Sequence, residues 1–300
     1  MPVVIIRVHH IPQIQGKSQS QFGANMQKFI GFPLVRIILA ILLVGIGLVA
    51  TQLIINLLGR VFPADNPIAG IGFTVLALLA VYYAYYSYVH LMEKRPITEL
   101  SGPGALNELA LGLLIGFGLF SMIIAVLWAL GYYRVTGMNG WSVIIPAIVA
   151  NVPSGFVQEI IFRGAIFRIT RDWLGVWWAL GISSILFGLI HILSATATVQ
   201  SVIAITLEAG VLLAAAYLLT NRLWLPIGIH VAWDLANDGI FGAGSSGASG
   251  ESIRGLLQAN LTGPALVSGG SAGVEASVIA VIVTLAASIY MIGIAQKETK

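Results

Sequence analysis

The sequence predicts an all-α, polytopic membrane protein in which about eight transmembrane helices enclose a polar cavity. Three observations lead to this prediction. Hydrophobic residues make up 58% of the 300 residues and charged residues only 9%, whereas soluble domains carry about 25% charged residues. The apolar residues lie in long stretches, near the ~20 residues that a spanning helix needs. Ionisable residues recur inside some of these stretches, where contact with lipid would be costly.

Eight stretches are expected to span the membrane. In chain order they are 33–59, 67–91, 108–132, 141–168, 174–193, 200–220, 223–241 and 274–295. Residues 1–32 are polar and lack the apolar core of a signal peptide, so we expect a cytoplasmic N-terminal segment before a membrane domain at 33–300. The Gly- and Ser-rich stretch 242–273 is typical of a long loop.

The placement of Lys and Arg favours an even number of spans with both termini in the cytoplasm of an integral cell-membrane protein. Eleven basic residues then fall on the cytoplasmic side and three on the other, as the positive-inside rule requires. The eleven are Arg7, Lys17, Lys28, Arg36, Lys94, Arg95, Arg168, Arg171, Arg222, Lys297 and Lys300, and the three are Arg60, Arg134 and Arg254. Glu93 to Arg95 are interpreted as ordinary interfacial residues.

Three of the predicted helices each carry one polar stripe. Glu159 and Arg163 are four residues apart on the fourth span, His191 lies on the fifth, and His230 and Asp234 are four residues apart on the seventh. A charged side chain at the bilayer centre costs roughly 2.5 to 3.5 kcal/mol on insertion scales. Packing can turn all three stripes inward, where carboxylates and imidazoles could activate water and stabilise an oxyanion. The alternative is that these groups only pin helices together.

Two further acids and one missing residue type bear on the site. Glu208, in the sixth span, either lines the same cavity or pairs with a neighbour, and Glu275 is expected to cap the last helix. The chain has no cysteine, which excludes a thiolate nucleophile, a disulfide and a thiolate metal site.

The order of the polar residues resembles the three signatures of the CPBP family of intramembrane glutamic endopeptidases, which includes CAAX proteases and bacteriocin-processing enzymes. The family patterns are E-E-x-x-x-R, F-x-x-x-H and H-x-x-x-N or D. The similar stretches here are Gln158-Glu159-x-x-x-Arg163, Phe187-x-x-x-His191 and His230-x-x-x-Asp234. The similar core covers about 140–245.

The resemblance implies a peptide hydrolase that uses activated water inside the bilayer. By position, His191 becomes a water-activating residue, His230 and Asp234 lie on the oxyanion side, and Glu159 with Arg163 forms the ion pair of the first motif. The implied substrate is a membrane-associated peptide or protein, with prenylated tails among the candidates, and nucleic acid is not expected. No cofactor is implied. A zinc-dependent version is the less favoured alternative, because no H-E-x-x-H motif exists and the two histidines are about 40 residues apart.

Gln158 departs from the family pattern, since it stands where the first glutamate is expected. An amide can orient a water molecule but cannot take its proton. Three hypotheses stay open. Glu159 acts as the base although its ion pair weakens it, or neutral His191 is the base while Gln158 holds the water, or hydrolysis is lost and a membrane scaffold remains. Asp234, which replaces an amide, is expected to orient His230.

A proton-coupled transporter is the rival from another functional class. Buried acids, arginines and histidines also mark ion paths through membranes. Neither an inverted repeat nor a pair of broken helices in corresponding halves of the sequence supports it.

Overall fold

The computed structural model describes residues 28–62, 66–243 and 255–298. Most of the expected N-terminal segment 1–32 and part of the expected loop 242–273 lie outside these ranges. Within them the chain forms a bundle of helices with one two-stranded sheet. The predicted all-α membrane architecture is confirmed.

Residues 28–31 are helical, and eleven further α-helices and two short strands follow in the described residues. Several helices continue into short 3-10 turns or into wider π-helical turns. The helices are α1 Pro33–Leu58, α2 Pro67–Tyr88, α3 Ala105–Ala129, α4 Ile144–Glu159, α5 Arg168–Leu174, α6 Val176–Ile190, α7 Val199–Ile205, α8 Val211–Thr220, α9 Trp224–Asp234, α10 Ala265–Ser268 and α11 Val278–Glu298. The strands are β1 Tyr133–Met138 and β2 Leu257–Leu261. The wider turns are Val89–Glu93, Ile160–Phe167, Thr206–Gly210 and Leu235–Phe241, and the 3-10 turns are Trp141–Val143, His191–Leu193, Gly270–Ala272 and Val274–Ala276.

The first two helices begin where their sequences predict. Each carries a proline at its first position, where the missing N–H has no partner to lose. The side chain of Asn66 also accepts hydrogen bonds from the backbone N–H groups of Ile68 and Ala69 at the start of α2. Many of the large apolar side chains of α1 are exposed, so this helix lies at the periphery of the bundle, where lipid can cover it.

Seven helices in the described ranges are long and apolar enough to cross a membrane, against the eight spans expected. The remaining stretch, 223–241, is also helical, as α9 followed by the wider turn Leu235–Phe241. It is not among the seven because its polar residues lower its hydropathy. The side chains from Leu225 to Trp233 are all buried, so neighbouring helices rather than lipid surround α9 and its histidine.

Glycines allow α3 and α9 to pack backbone against backbone. A Cβ atom on Gly112 would lie 2.4 Å from the carbonyl oxygen of Leu225, and one on Gly228 would lie 2.5 Å from that of Leu109. Small residues at such crossings are a common means of close helix packing in membranes. The contact therefore fixes α9, which carries His230, against α3.

The expected long loop at 242–273 contains regular structure in its described part. Strand β2 pairs with β1 in antiparallel fashion, with Tyr133 opposite Leu261 and Met138 opposite Leu257, and α10 follows. The loop prediction is wrong for these residues. The two strands are short and far apart in sequence, so each is stabilised by a partner that local composition does not reveal.

Basic residues from several helices gather around the buried carboxylate of Glu93. Its oxygens accept hydrogen bonds from Arg36 at 2.5 Å, from Arg95 at 2.7 Å and from Arg168 at 2.7 Å. The Glu93 side chain is only 2% exposed, so its interpretation as an ordinary interfacial residue is wrong. The cluster joins α1, α5 and the end of α2 at one end of the bundle.

Replacing Gly112 by Ala tests the packing of α3 against α9. We expect Gly112→Ala to lower the stability by about 1–3 kcal/mol, because the new methyl group forces the two helices apart. The measurement is the thermal unfolding midpoint in detergent. Gly118→Ala on the same helix is the matched control, since no described atom lies within 4 Å of its Cβ position. Equal midpoints for the two variants would contradict the packing argument.

The pH dependence of stability tests the role of Glu99, which accepts hydrogen bonds from Arg95 at 2.6 Å and from Tyr85 at 2.5 Å. Burial raises the pKa of Glu99, but these hydrogen bonds outweigh burial and hold it below its usual value. Its contribution to stability is therefore present above the usual pKa of glutamate and is lost as the pH falls through the lower, folded-state value. We expect Glu99→Gln to flatten the fall of the unfolding midpoint on acidification. The same slope in wild type and variant would refute this.

Candidate active site

The ion pair of Glu159 and Arg163 forms where α4 passes into the wider turn that follows it. Both side chains are fully buried, and Arg163 Nη1 donates to Glu159 Oε1 at 3.0 Å. Arg163 Nη2 donates to the carbonyl oxygens of Ala209 at 3.2 Å and Gly210 at 3.0 Å. The guanidinium therefore joins α4 to the turn between α7 and α8. Wider turns of this kind are frequent at functional sites.

His230 lies between two carboxyl groups. Its Nδ1 is 2.8 Å from Glu159 Oε1, and its Nε2 is 3.5 Å from Asp234 Oδ2. The first distance is a good hydrogen bond and the second is long for one. Glu159, rather than Asp234, therefore holds the ring most closely, which differs from the expected role of Asp234.

His191 lies where α6 gives way to a 3-10 turn. Its Nδ1 is 2.8 Å from the carbonyl oxygen of Phe187. A carbonyl can only accept, so Nδ1 carries the proton in this bond, and in the neutral ring Nε2 is the atom with a free lone pair. The Phe187 ring also packs against the His230 ring, at 5.7 Å between centroids, and 4.5 Å from the Arg163 guanidinium carbon. Phe187 thus holds the three groups in place by packing.

A small cavity of about 30 Å³ lies among α6, α8, α9 and the residues around the start of α11. Its lining combines apolar side chains with two histidines and three acids, namely His191, His230, Asp234, Glu208 and Glu275. A cavity with several polar groups can hold water. The structure therefore brings together the candidate residues of the fifth and seventh predicted spans. Glu159 and Arg163 are not part of the lining, and they reach it through His230.

Glu208 is an acid of the cavity whose carboxyl group makes no hydrogen bond to the described residues. It is fully buried, and neither of its carboxyl oxygens has a hydrogen-bond partner among the described residues. Of the two readings that the sequence left open, lining the cavity is therefore the one observed. A buried polar group without a partner costs about 1–3 kcal/mol, which is a sign that water or a ligand completes the site.

Glu275 has a different place from the one expected. Its Oε1 accepts a hydrogen bond from Trp233 Nε1 at 2.9 Å, and it faces the cavity. The last helix begins only at Val278, and Ser277 Oγ accepts from the backbone N–H of Ala280 at 3.0 Å in the capping position. The prediction that Glu275 caps this helix is wrong, because the helix starts three residues further along the chain.

Gln158 lies away from the cavity. It follows Val157 and precedes Glu159 on α4, so it points about 100° away from Glu159. Its Nε2 donates to Ser154 Oγ at 2.9 Å on the same helix, and it is not one of the residues that line the cavity. The structure therefore does not bring Gln158 together with the two histidines.

The zinc-dependent alternative requires several metal ligands at one site. In the part of the chain that the structure describes, no group of three or more His, Asp or Glu side chains is arranged to hold a metal ion.

Comparison with protein families identifies the stretch that carries these residues. Residues 139–236 match the family described as Type II CAAX prenyl endopeptidase Rce1-like. The match is consistent with a CAAX protease. The match covers about a third of the chain and contains every candidate residue from Gln158 to Asp234, so the resemblance inferred from the three motifs is confirmed. No curated protein and no solved structure matches the chain.

The energetic role of the ion pair can be tested by removing its cation. Arg163→Met is expected to destabilise the protein by about 3–5 kcal/mol, because Glu159 is left buried without its charge partner. Glu159→Gln added to the same protein should recover part of that loss. Denaturant unfolding in detergent measures both effects.

Arg171→Met is the matched control for that experiment. Arg171 is 25% exposed and lies 3.9 Å from Asp172, so its loss should cost no more than about 1 kcal/mol. Equal effects at Arg163 and Arg171 would show that the buried pair is not special.

Proposed function

We propose that this protein is an intramembrane endopeptidase of the CAAX-protease type, which hydrolyses a peptide bond with an activated water molecule. The observation that carries the proposal is the meeting of His191 and His230, from separate helices, on one buried cavity. The family of residues 139–236 supports the same reaction class.

The two histidines suit different steps of hydrolysis. His191 keeps Nε2 as an acceptor because its Nδ1 donates to the Phe187 carbonyl, so it can bind and orient a water molecule. His230 donates from Nδ1 to Glu159. When this ring carries both protons, its Nε2–H can donate to the oxyanion that forms as water adds to the scissile carbonyl.

Glu159 serves as a positioning residue in this proposal. Its Oε1 already accepts from both Arg163 and His230, and the residue does not line the cavity. A carboxylate held in this way fixes the orientation of the histidine and is poorly placed to take a proton from water. Gln158 has no direct part in the reaction.

The family match and the charge pattern also motivate proposals for the substrate, the cofactor requirement and the location. We propose that the substrate is a membrane-associated peptide or protein, that prenylated CAAX tails are its best candidate class, and that no metal or other cofactor is required. We also propose a cell-membrane location with both termini in the cytoplasm. The gathering of Arg36, Arg95 and Arg168 at one end of the bundle supports this orientation through the positive-inside rule.

Cleavage by the purified protein tests the proposal directly. In detergent, wild type should cleave a fluorogenic prenylated CAAX peptide faster than the same peptide without its prenyl group. His191→Ala and His230→Ala should each lower kcat by about 10²-fold or more, because each removes a group that acts on the reacting atoms. Arg171→Met is the control, and should cleave like wild type.

Three outcomes would count against parts of the proposal. Equal background rates for wild type and both histidine variants would overturn the protease and favour the scaffold that Gln158 suggested. Cleavage abolished by a chelator and restored by zinc would replace the water mechanism by a metal-dependent one. Equal cleavage of the peptides with and without the prenyl group would support the protease but would rule out prenylated tails as its preferred substrate class.

A further inference from the structure

Glu208 is the buried group that the proposed mechanism does not use. Its side chain faces the same cavity as His191 and His230. Both carboxyl oxygens lack a hydrogen-bond partner within residues 28–62, 66–243 and 255–298. Buried polar groups are nearly always hydrogen-bonded to protein or to ordered water. A fully buried carboxyl without a protein partner, facing a cavity, therefore marks a place where water or substrate binds.

The fold holds Glu208 close to the element that carries His191. A Cβ atom on Gly188 would lie 1.9 Å from Thr206 Oγ1, and one on Gly210 would lie 2.9 Å from the Cβ of Ser184. Helix α6 and the turn Thr206–Gly210 are thus in direct backbone contact. Glu208 is in the middle of that turn, and His191 follows directly after α6.

The buried ion pair also holds the turn Thr206–Gly210. Arg163 donates to the carbonyl oxygens of Ala209 and Gly210, the two residues that follow Glu208. The guanidinium in turn is fixed by Glu159, which also holds His230. One network therefore positions both the histidine of the oxyanion side and the backbone that carries Glu208.

The other acids of the cavity are engaged. Glu275 accepts from Trp233, and Asp234 lies 3.5 Å from His230 Nε2. Gln158, in the place where the family pattern has its first glutamate, is outside the cavity and is an amide. Of the three carboxyl groups that line the cavity, Glu208 is therefore the one with neither a hydrogen bond nor an ion pair in the described part of the chain.

We propose that Glu208 is a catalytic residue of this protein and acts as the general base that activates the hydrolytic water together with His191. This inference rests on the proposed peptidase function. A water molecule bound by the Glu208 carboxylate and His191 Nε2 gives a proton to Glu208 as its oxygen forms a bond to the scissile carbonyl carbon. When the C–N bond of the tetrahedral intermediate breaks, Glu208 returns that proton to the departing amine. No other reactant is needed.

The test compares Glu208→Gln with wild type in the prenylated-peptide assay. The isosteric amide keeps the size of the side chain but cannot accept the proton, so kcat should fall by about 10²-fold or more while KM changes little. Glu108→Gln is the matched control. Glu108 pairs with Arg222 at 3.1 Å at the start of α3, away from the cavity, and this variant should keep the kcat of wild type.

Chemical rescue separates a catalytic role from a structural one. Glu208→Ala leaves space in the cavity for a small carboxylate, and added formate should raise its kcat several-fold. Formate should not rescue His191→Ala. Unfolding midpoints of all variants show which of them are folded, and if Glu208→Gln does not fold, the rescue of Glu208→Ala decides the question.

The outcomes distinguish this inference from the proposed function. If wild type cleaves the peptide and Glu208→Gln has a similar kcat, the role of Glu208 is overturned and the proposed peptidase function is retained. A folded Glu208→Ala that formate cannot rescue would also overturn it. No cleavage by wild type would overturn both proposals together.

Discussion

Much of this structure depends on one oxygen atom, Glu159 Oε1, which accepts from Arg163 at 3.0 Å and from His230 at 2.8 Å. A carboxylate and a guanidinium that are both fully buried must satisfy each other, since neither lipid nor bulk water can do so. The pairing joins α4 to α9. Through the carbonyl oxygens of Ala209 and Gly210 it also joins α4 to the turn before α8. The position of the cavity follows from these constraints.

Local widening of the helices serves the same constraint. Arg163 lies within one wide turn, Glu208 lies within another, and Asp234 directly precedes a third. A regular helix has 3.6 residues per turn. A wide turn has more, so it changes the direction of its side chains and weakens the regular backbone hydrogen bonding. The bundle can thus direct a few polar side chains inward while its other faces stay apolar.

The helices and the histidines are predictable from the sequence, but the surroundings of two acids, Glu93 and Glu275, are not. Apolar stretches and four-residue spacings are local signals. The sequence alone therefore predicts the spans and the polar stripe of His230 and Asp234. Glu93 and Glu275 were misread because their partners, Arg168 and Trp233, are 75 and 42 residues away. The pairing of β1 with β2 was missed for the same reason. The partners of a buried charge are set by packing, which one sequence does not display.

Gln158 shows how motif and geometry can give different answers. In the sequence motif, Gln158 replaces a glutamate, which suggests that hydrolytic activity is lost. In the fold it donates to Ser154 and lies outside the cavity, so its chemistry says little about whether water can be activated there. What matters is whether any carboxyl group faces the cavity beside His191 without another partner. Glu208 meets that condition from a different helix, and a hydrolase can keep its reaction when the residue that supplies the carboxylate changes position.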